Sequence, residues 1–440
     1  MTDNILKKHV ERTAKELVAE VYPADKPYRD VTDKKDVKRG KKYYEAAEHI
    51  LNALVAGSTT LVSDMSLSLA DNASADEMKN AQEQLSGWLQ RYDFETGLND
   101  YLMARAKPLV GRTTTLALDF SDLSKPFGGE GMEGMAMGWD GSRHCKAYGH
   151  DFISVSVVGP GFADAVPVYV RIARGRRSKG EFLNAAIEAV KKVVGENGWF
   201  AVDRGMDSVE FIFFMKRRDF LGVVRVNKMD RDVFGDGLRI DVSLQSARFF
   251  DAMLHVHTGD RRVKIRCKPG VVQYCKDPRS KDAATENVRV LVVESRFDEK
   301  SIYLYVVCPD WVLESPAQMA IYAERAAQAY CDRWQIETSF FVMKQEFALE
   351  KARVRTFRRL ENIFSLCVLA YVYATQFLRK TKGFKRILKF LADNLGTVSS
   401  KTHALLAGIR ALVKEARIRF ISGRPRKRTV DDKQMALPGF

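Results

Sequence analysis

Two short apolar runs that each close on an aspartate constrain this chain more than any other feature. Thr113-Thr114-Thr115-Leu116-Ala117-Leu118 leads to Asp119, and Trp199-Phe200-Ala201-Val202 leads to Asp203. Apolar, β-branched runs of this length read as buried strands. A carboxylate at the end of such a strand costs desolvation unless it is paired or holds a cation. Strand ends in open α/β sheets are also where sites gather. A single strand-terminal aspartate commonly caps a turn. Two of them, with a third acid further on, invite a carboxylate metal site. Hard cations such as Mg²⁺ take oxygen ligands and leave room for substrate phosphates. Two such ions can stabilise both the attacking and the leaving oxygen at phosphorus.

The flanking pattern fits a mixed α/β core. Strands are expected at 152–158 and 166–172, a helix at about 180–195, another near 205–217, and a strand at 220–226. Residues 235–310 read as strands again and form a β-rich insertion between the two halves of the core. A long helical pattern runs over about 315–350, and a second, strongly apolar one over 358–380. Residues 1–108 read as charged helices, with a basic stretch at 34–42. Within them, patterns at 59–70 and 75–91 are joined by Asp71-Asn72-Ala73-Ser74, and Ser74 suits an N-cap. That pair fits either a helix-turn-helix or an ordinary bundle. The expected organisation is a helical region at 1–108, a core at 109–234 and 311–382 split by the insertion, and a helical C-terminal region with a basic tail at 383–440.

The third acid lies in the long helix. Tyr330, Arg333, Glu337 and Lys344 have offsets 0, 3, 7 and 14. At about 100° per residue they fall near 0°, 300°, 340° and 320°, on one helix face. A solvated charged stripe has the same periodicity, so the spacing alone leaves both readings open.

Tyr330-x2-Arg333-x3-Glu337-x6-Lys344 resembles the Y-R-E-K signature of the insertion-sequence-4-type transposases, the group that includes the Tn-five transposase. Asp203-Arg204-Gly205-x-Asp207 is similar to that family's second-acid motif, and Asp119-x3-Leu123-Ser124 resembles its first. Arg225 lies where the family has a strand arginine that contacts DNA. The resemblance spans roughly 110–380 and implies an RNase H-like fold with the β-rich insertion. It implies a DDE triad of Asp119, Asp203 and Glu337 holding two Mg²⁺ or Mn²⁺ ions. Asp122, three residues after Asp119, stands as an alternative first acid. DNA contacts through Tyr330, Arg333, Lys344 and Arg225 are implied as well, since Arg suits bidentate phosphate contacts and Lys supplies a point charge. The implied activity is cut-and-paste DNA transposition: nicking at inverted-repeat ends, hairpin formation, and strand transfer into target DNA by a homodimer. An RNase H-like nuclease without strand transfer, and an inactive DNA-binding relative, are the alternatives. The family's base-flipping aromatic has no assigned counterpart here, with Tyr303 and Trp311 in the matching region.

Charge agrees with a nucleic-acid partner. Lys and Arg outnumber Asp and Glu by 71 to 56, a net +15, as suits a polyanionic ligand. Basic clusters at Arg171, Arg174, Arg176, Arg177 and Lys179, and at Lys351, Arg353, Arg355, Arg358 and Arg359, would position DNA without reading its sequence. Gln434, Leu437 and Phe440 at the C-terminus resemble a sliding-clamp-binding peptide. The six cysteines form no CxxC pair, as expected of reduced thiols rather than a zinc site. His255 and His257 alternate along a strand and suit structural roles better than a metal pair. No apolar run reaches the roughly 18 residues of a membrane span. The expected location is a bacterial cytoplasm, at the nucleoid.

Overall fold

The computed structural model describes residues 2–23, 34–57, 60–69, 74–125, 131–140, 144–174, 179–256, 259–275, 285–297 and 299–380, together with Phe384 and Leu406. The tail at 424–428, the peptide Gln434, Leu437 and Phe440, and most of the expected C-terminal helical region lie outside the described residues. So do His257, Arg176 and Arg177.

The chain opens with helices α1 (Thr2–Val21), α2 (Lys34–Gly57), α3 (Val62–Leu69), α4 (Ala75–Arg91) and α5 (Phe94–Ala106). Ser74 caps α4 through a capping box: its hydroxyl accepts the Glu77 N–H while the Glu77 carboxylate accepts the Ser74 N–H. Such a cap contributes about 1 kcal/mol. Asp93 caps α5 by accepting the Thr96 N–H. Along α1, Val10, Ala14, Leu17, Val18 and Val21 recur at helical spacing and are buried.

Strands then alternate with helices: β1 (Thr115–Ser124), β2 (Ala136–Asp140), β3 (Cys145–Val158), β4 (Val166–Ile172), α6 (Lys179–Val194), β5 (Trp199–Val202), α7 (Val209–Arg217) and β6 (Gly222–Arg225). After the short α8 (Ile240–Ser243) come β7 (Phe250–Val256), β8 (Gly259–Cys275), β9 (Thr285–Phe297) and β10 (Lys300–Val307). Helices α9 (Pro316–Asp332), α10 (Trp334–Phe341) and α11 (Phe357–Val372) follow.

The ten strands among the described residues belong to one mixed sheet ordered β2-β3-β1-β5-β6-β10-β9-β8-β7, with β4 also on β3. β1, β5 and β6 run parallel, and β3 is antiparallel to β1. The subset β4-β3-β1-β5-β6, with α6 and α7 in its crossovers, is compatible with an RNase H-like transposase core. The strand-rich stretch expected over 235–310 supplies β7 to β10. These strands continue the same sheet, because β10 pairs antiparallel with β6 from Leu304↔Arg225 to Val307↔Gly222. That pairing covers what would otherwise be an open edge of the parallel strands.

The two sheet faces have separate cores. Leu116, Leu118, Phe200, Val202 and Val224 pack against α6 and α7. Trp199, Ala201 and Val223 pack against α9, and Ala117 joins α11 and the N-terminal helices. The N-terminal helices share that core with α11 rather than standing apart from it. The Thr13 and Tyr373 hydroxyls lie 2.8 Å apart. The buried Asn362 side chain accepts the Phe94 N–H and donates to Leu89 O and Tyr92 O.

Several boundaries differ from the sequence pattern. β1 runs five residues past Asp119, because β3 keeps pairing with it as far as Ser124↔Gly149. The helix expected near 205 begins at Val209, after a 3₁₀ turn over Arg204–Met206, with Ser208 as its N-cap. The single helix expected over 315–350 is broken at Arg333, and a π-turn follows at Val342–Glu346. β2 has no counterpart in the sequence pattern.

Candidate active site

Strand alternation aims the acids. Residues two apart on a strand share a face, so Asp119 lies on the Ala117 side of β1, Asp203 on the Ala201 side beyond β5, and Arg225 on the Val223 side of β6. All three sides carry the later helices. Register then aligns them: the parallel β1–β5 ladder ends at Leu118↔Val202, so Asp119 and Asp203 are the next residue on each chain. Gly198 makes that register attainable. Its φ is +85°, and a Cβ there would lie 2.5 Å from Leu116 Cδ1.

Tyr330 and Arg333 meet these acids from beneath, at the α9–α10 junction, and both are buried. Arg333 Nη1 donates to Asp119 Oδ2 at 2.6 Å, and Nη2 donates to Glu337 Oε1 at 2.9 Å. Asp203 Oδ1 lies 3.9 Å from the same Nη2. The Tyr330 hydroxyl donates to Asp203 Oδ1 at 3.2 Å and accepts from Arg225 Nη1 at 3.0 Å. Six of the residues singled out in the sequence, Asp119, Asp203, Arg225, Tyr330, Arg333 and Glu337, therefore meet in one cluster. Lys344 does not join it. The π-turn carries Lys344 to Asp122 Oδ1, 3.5 Å away, and to Glu350 Oε1, 3.4 Å away. Asp122 also accepts the Ser124 hydroxyl. A straight helix would have kept Lys344 in line with Glu337; the π-turn, which begins after Glu337, changes its bearing.

Burial pushes the Asp119 carboxyl up to about 6. Arg333 pulls it down, while Asp203 and Glu337 push it further up. Burial opposes charge on Arg333, yet Asp119 and then Asp203 outweigh it, so its value is raised. Tyr330 is raised by burial and by Asp203.

As they stand, no three His, Cys, Asp or Glu side chains among the described residues are grouped to hold a metal ion. The Arg333 guanidinium lies among Asp119, Asp203 and Glu337 and takes the place of a shared cation. Three carboxylates that converge on one positive group do form a hard oxygen donor set of the kind divalent Mg²⁺ or Mn²⁺ requires. The chemistry of these carboxylates suits such an ion, although with the guanidinium among them they are not grouped around one.

Two supporting groups surround the cluster, the first built on the Asp207 of the second-acid motif and the second not singled out in the sequence. Asp207 is buried, accepts the Asn227 and Lys228 N–H groups, and pairs with Arg231 at 2.7 Å. It fixes the segment that leaves β6 just after Arg225. Asp332 is also buried and accepts from Thr115 Oγ1 and Gln328 Nε2, while Arg325 donates to Thr115 Oγ1. These contacts tie α9 to the root of β1. Arg325, Gln328 and Asp332 are spaced 0, 3 and 7, a second polar stripe visible in the sequence.

The basic clusters are partly engaged within the chain. Arg171 faces Glu95, Arg174 pairs with Glu133, and Arg358 pairs with Glu361. Arg353 and Arg355 are exposed. His255 bonds Asp260 at 2.8 Å and is exposed. Cys145, Cys267, Cys308, Cys331 and Cys367 are free thiols. No helix among the described residues is long and apolar enough to cross a membrane.

Residues 113–373, more than half of the 440-residue chain, match the transposase DDE domain family, and the chain belongs to that family. It is thus a metal-dependent DNA transposase, an enzyme class that generally uses divalent ions. Among solved structures, it is similar to a piggyBac transposase synaptic complex with hairpin DNA, at 12% identity and a TM-score of 0.39, over 94% of this chain and 80% of that chain. At that distance the likeness carries no functional weight. No protein of curated function matches the sequence.

Proposed function

We propose that this transposase is of the insertion-sequence-4 type and that Asp119, Asp203 and Glu337 are its catalytic metal-binding triad. The observation that carries the reading is the convergence of these three acids on one buried cationic group. Asp119 is preferred to Asp122 as first acid because Arg333 joins it to Glu337, whereas Asp122 is turned to Lys344. Two divalent ions held by the triad would polarise the scissile phosphodiester and supply a nucleophile at neutral pH.

The remaining residues bind and orient. Arg333 and Arg225 suit bidentate contact with phosphates flanking the cut. Tyr330 holds Arg225 and Asp203 in fixed relation through its hydroxyl. Lys344 offers a point charge one station further along β1. Together they would hold a terminal phosphate in line while water, and then a freed 3′-OH, attacks phosphorus. The sequence of products is a nick, a hairpin, and strand transfer into target DNA. The N-terminal helices are proposed to bind the inverted repeats, two protomers to bridge two ends, and the C-terminal peptide with Gln434, Leu437 and Phe440 to dock a replication sliding clamp.

The test is cleavage of DNA carrying the element's own ends, in Mg²⁺, by wild type and by Glu337→Ala. Nicks that mature to hairpins and joined products, all lost in the variant, support the reading. Nicking without any joined product replaces it with a nuclease. Tight end binding with no cleavage replaces it with an inactive DNA-binding protein.

A further inference from the structure

Arg333 and a divalent cation cannot use the same oxygens. Arg333 occupies Asp119 Oδ2 and Glu337 Oε1 through its two terminal nitrogens. Asp119 Oδ1 is already spent on the Phe120 N–H. A metal among these acids would therefore compete with the guanidinium for Asp119 Oδ2 and Glu337 Oε1, and its charge would repel the guanidinium.

The rest of the surroundings shows how the guanidinium could leave. The Arg333 side chain is 3% exposed, whereas Asp203, Arg225 and Glu337 around it are 33%, 35% and 37% exposed. The arginine is the floor of a site that opens to solvent on its rim. Its Nε is buried without a hydrogen-bond partner, so charge holds it there more than complete hydrogen bonding does. A DNA phosphate can offer the guanidinium a bidentate partner of equal charge. The Tyr330 ring, 5.5 Å from the Arg333 guanidinium and 5.8 Å from that of Arg225, lies between the two cations. It gives a moving Arg333 an aromatic face beside the half-buried Arg225.

We propose that Arg333 is an internal counterion that keeps the three-carboxylate site closed to divalent metal until a DNA phosphate draws the guanidinium away. Metal and DNA then bind cooperatively, and by linkage each tightens the other by the same factor. The proposal rests on Asp119, Asp203 and Glu337 being the metal ligands.

The experiment is Mn²⁺ titration of the full chain followed by electron paramagnetic resonance. The samples are wild type, Arg333→Gln, and Arg333→Gln combined with Asp119→Asn, each without DNA. Wild type and Arg333→Gln are repeated with a short blunt duplex, against a duplex-only blank. Without DNA, Arg333→Gln is expected to bind Mn²⁺ about tenfold more tightly than wild type, within the usual range of coupling between neighbouring sites. The duplex should tighten Mn²⁺ binding by wild type and leave Arg333→Gln unchanged. Equal or weaker Mn²⁺ binding by Arg333→Gln, with Asp119→Asn still weakening it further, overturns the gate and spares the ligand assignment. No effect of Asp119→Asn in the Arg333→Gln background overturns the ligand assignment and the gate together. Should Arg333→Gln fail to fold by circular dichroism, the wild-type arm decides alone, since no tightening by duplex overturns the proposal.

Discussion

Asp119, Asp203 and Glu337 form one trio of acids beside arginines; Asp93, Glu95 and Glu361 form another. The first is gathered from two parallel strands and a helix, and its arginine sits in the middle, bonded to two of the three. The second is gathered from the start of α5 and from α11, beside a cavity of about 440 Å³ that Arg171, Arg174 and Arg358 also line. There the cations stand at the rim: Arg358 bonds Glu361 at 2.6 Å and lies 3.7 Å from Asp93, and Arg171 is 3.9 Å from Glu95. Asp93 is committed to capping α5. Burial, reinforced by Glu361, pushes Glu95 up to about 8, and burial raises Glu361 as well, so this pair of carboxyls keeps a proton near neutral pH. Three nearby carboxylates therefore do not by themselves make a metal site. What separates the trios is whether the acids face a common point that a cation can occupy, or are spent on caps, helix pairs and a proton.

The sharpest way to break this comparison is to neutralise one acid in each trio. Glu337→Gln is expected to slow Mg²⁺-dependent cleavage by about 10³-fold, the scale of losing a charge-stabilising group. Glu361→Gln should leave the cleavage rate unchanged, as single-turnover assays on end DNA would reveal. Equal losses in both variants would abolish the distinction.

The helix-borne region has a structural task instead. Asn362→Ala strands the Phe94 N–H and the carbonyls of Leu89 and Tyr92, and should destabilise the fold by about 2–3 kcal/mol. Chemical denaturation would detect it. Mn²⁺ affinity in the still-folded variant should match wild type.

A smaller effect is expected at Arg225, whose nearest partners are Tyr330 and Asp203. Arg225→Ala should weaken DNA binding by about tenfold, and the log–log salt slope should fall by about 1. Fluorescence anisotropy at several salt concentrations tests both. An unchanged slope would mean that Arg225 serves only the protein.

The smallest effect concerns pH. Because the folded-state value of Glu95 is raised, its contribution to stability is present below its ordinary range near pH 4.5 and is lost as pH rises through about 8. Glu95→Gln should therefore stabilise the protein at pH 8.5, on the order of 1 kcal/mol, and do little at pH 4.5. Thermal unfolding at the two pH values decides it, and equal shifts at both would remove the proton from Glu95.

Most of the first trio is legible in local sequence. The alternation around Asp119 and Asp203, the Tyr330, Arg333 and Glu337 spacing and the Ser74 cap are local patterns, and local backbone geometry realises them. Lys344 marks the limit: its offset puts it in line with Glu337 only on a regular helix, and the π-turn at 342–346 has no comparable pattern. The strands at 235–310 are legible as strands, but the attachment of β10 to β6 is not, because hydrogen-bonded neighbours in a sheet need share no sequence signal. The Asp93, Glu95 and Glu361 trio escapes for the same reason, since 266 residues separate Glu95 from Glu361.

The sequence by itself determined which side chains can act as oxygen donors and cations, and which strand or helix face each occupies. Those properties depend on residue type and on the periods of 2 and 3.6, which are local. Tertiary structure decided which acids meet, because register across β1 and β5 and the docking of α9 bring together groups more than 80 and 120 residues apart in the chain. It also decided that Arg333 stands among the acids, bonded to Asp119 and Glu337, where its charge offsets part of their mutual repulsion.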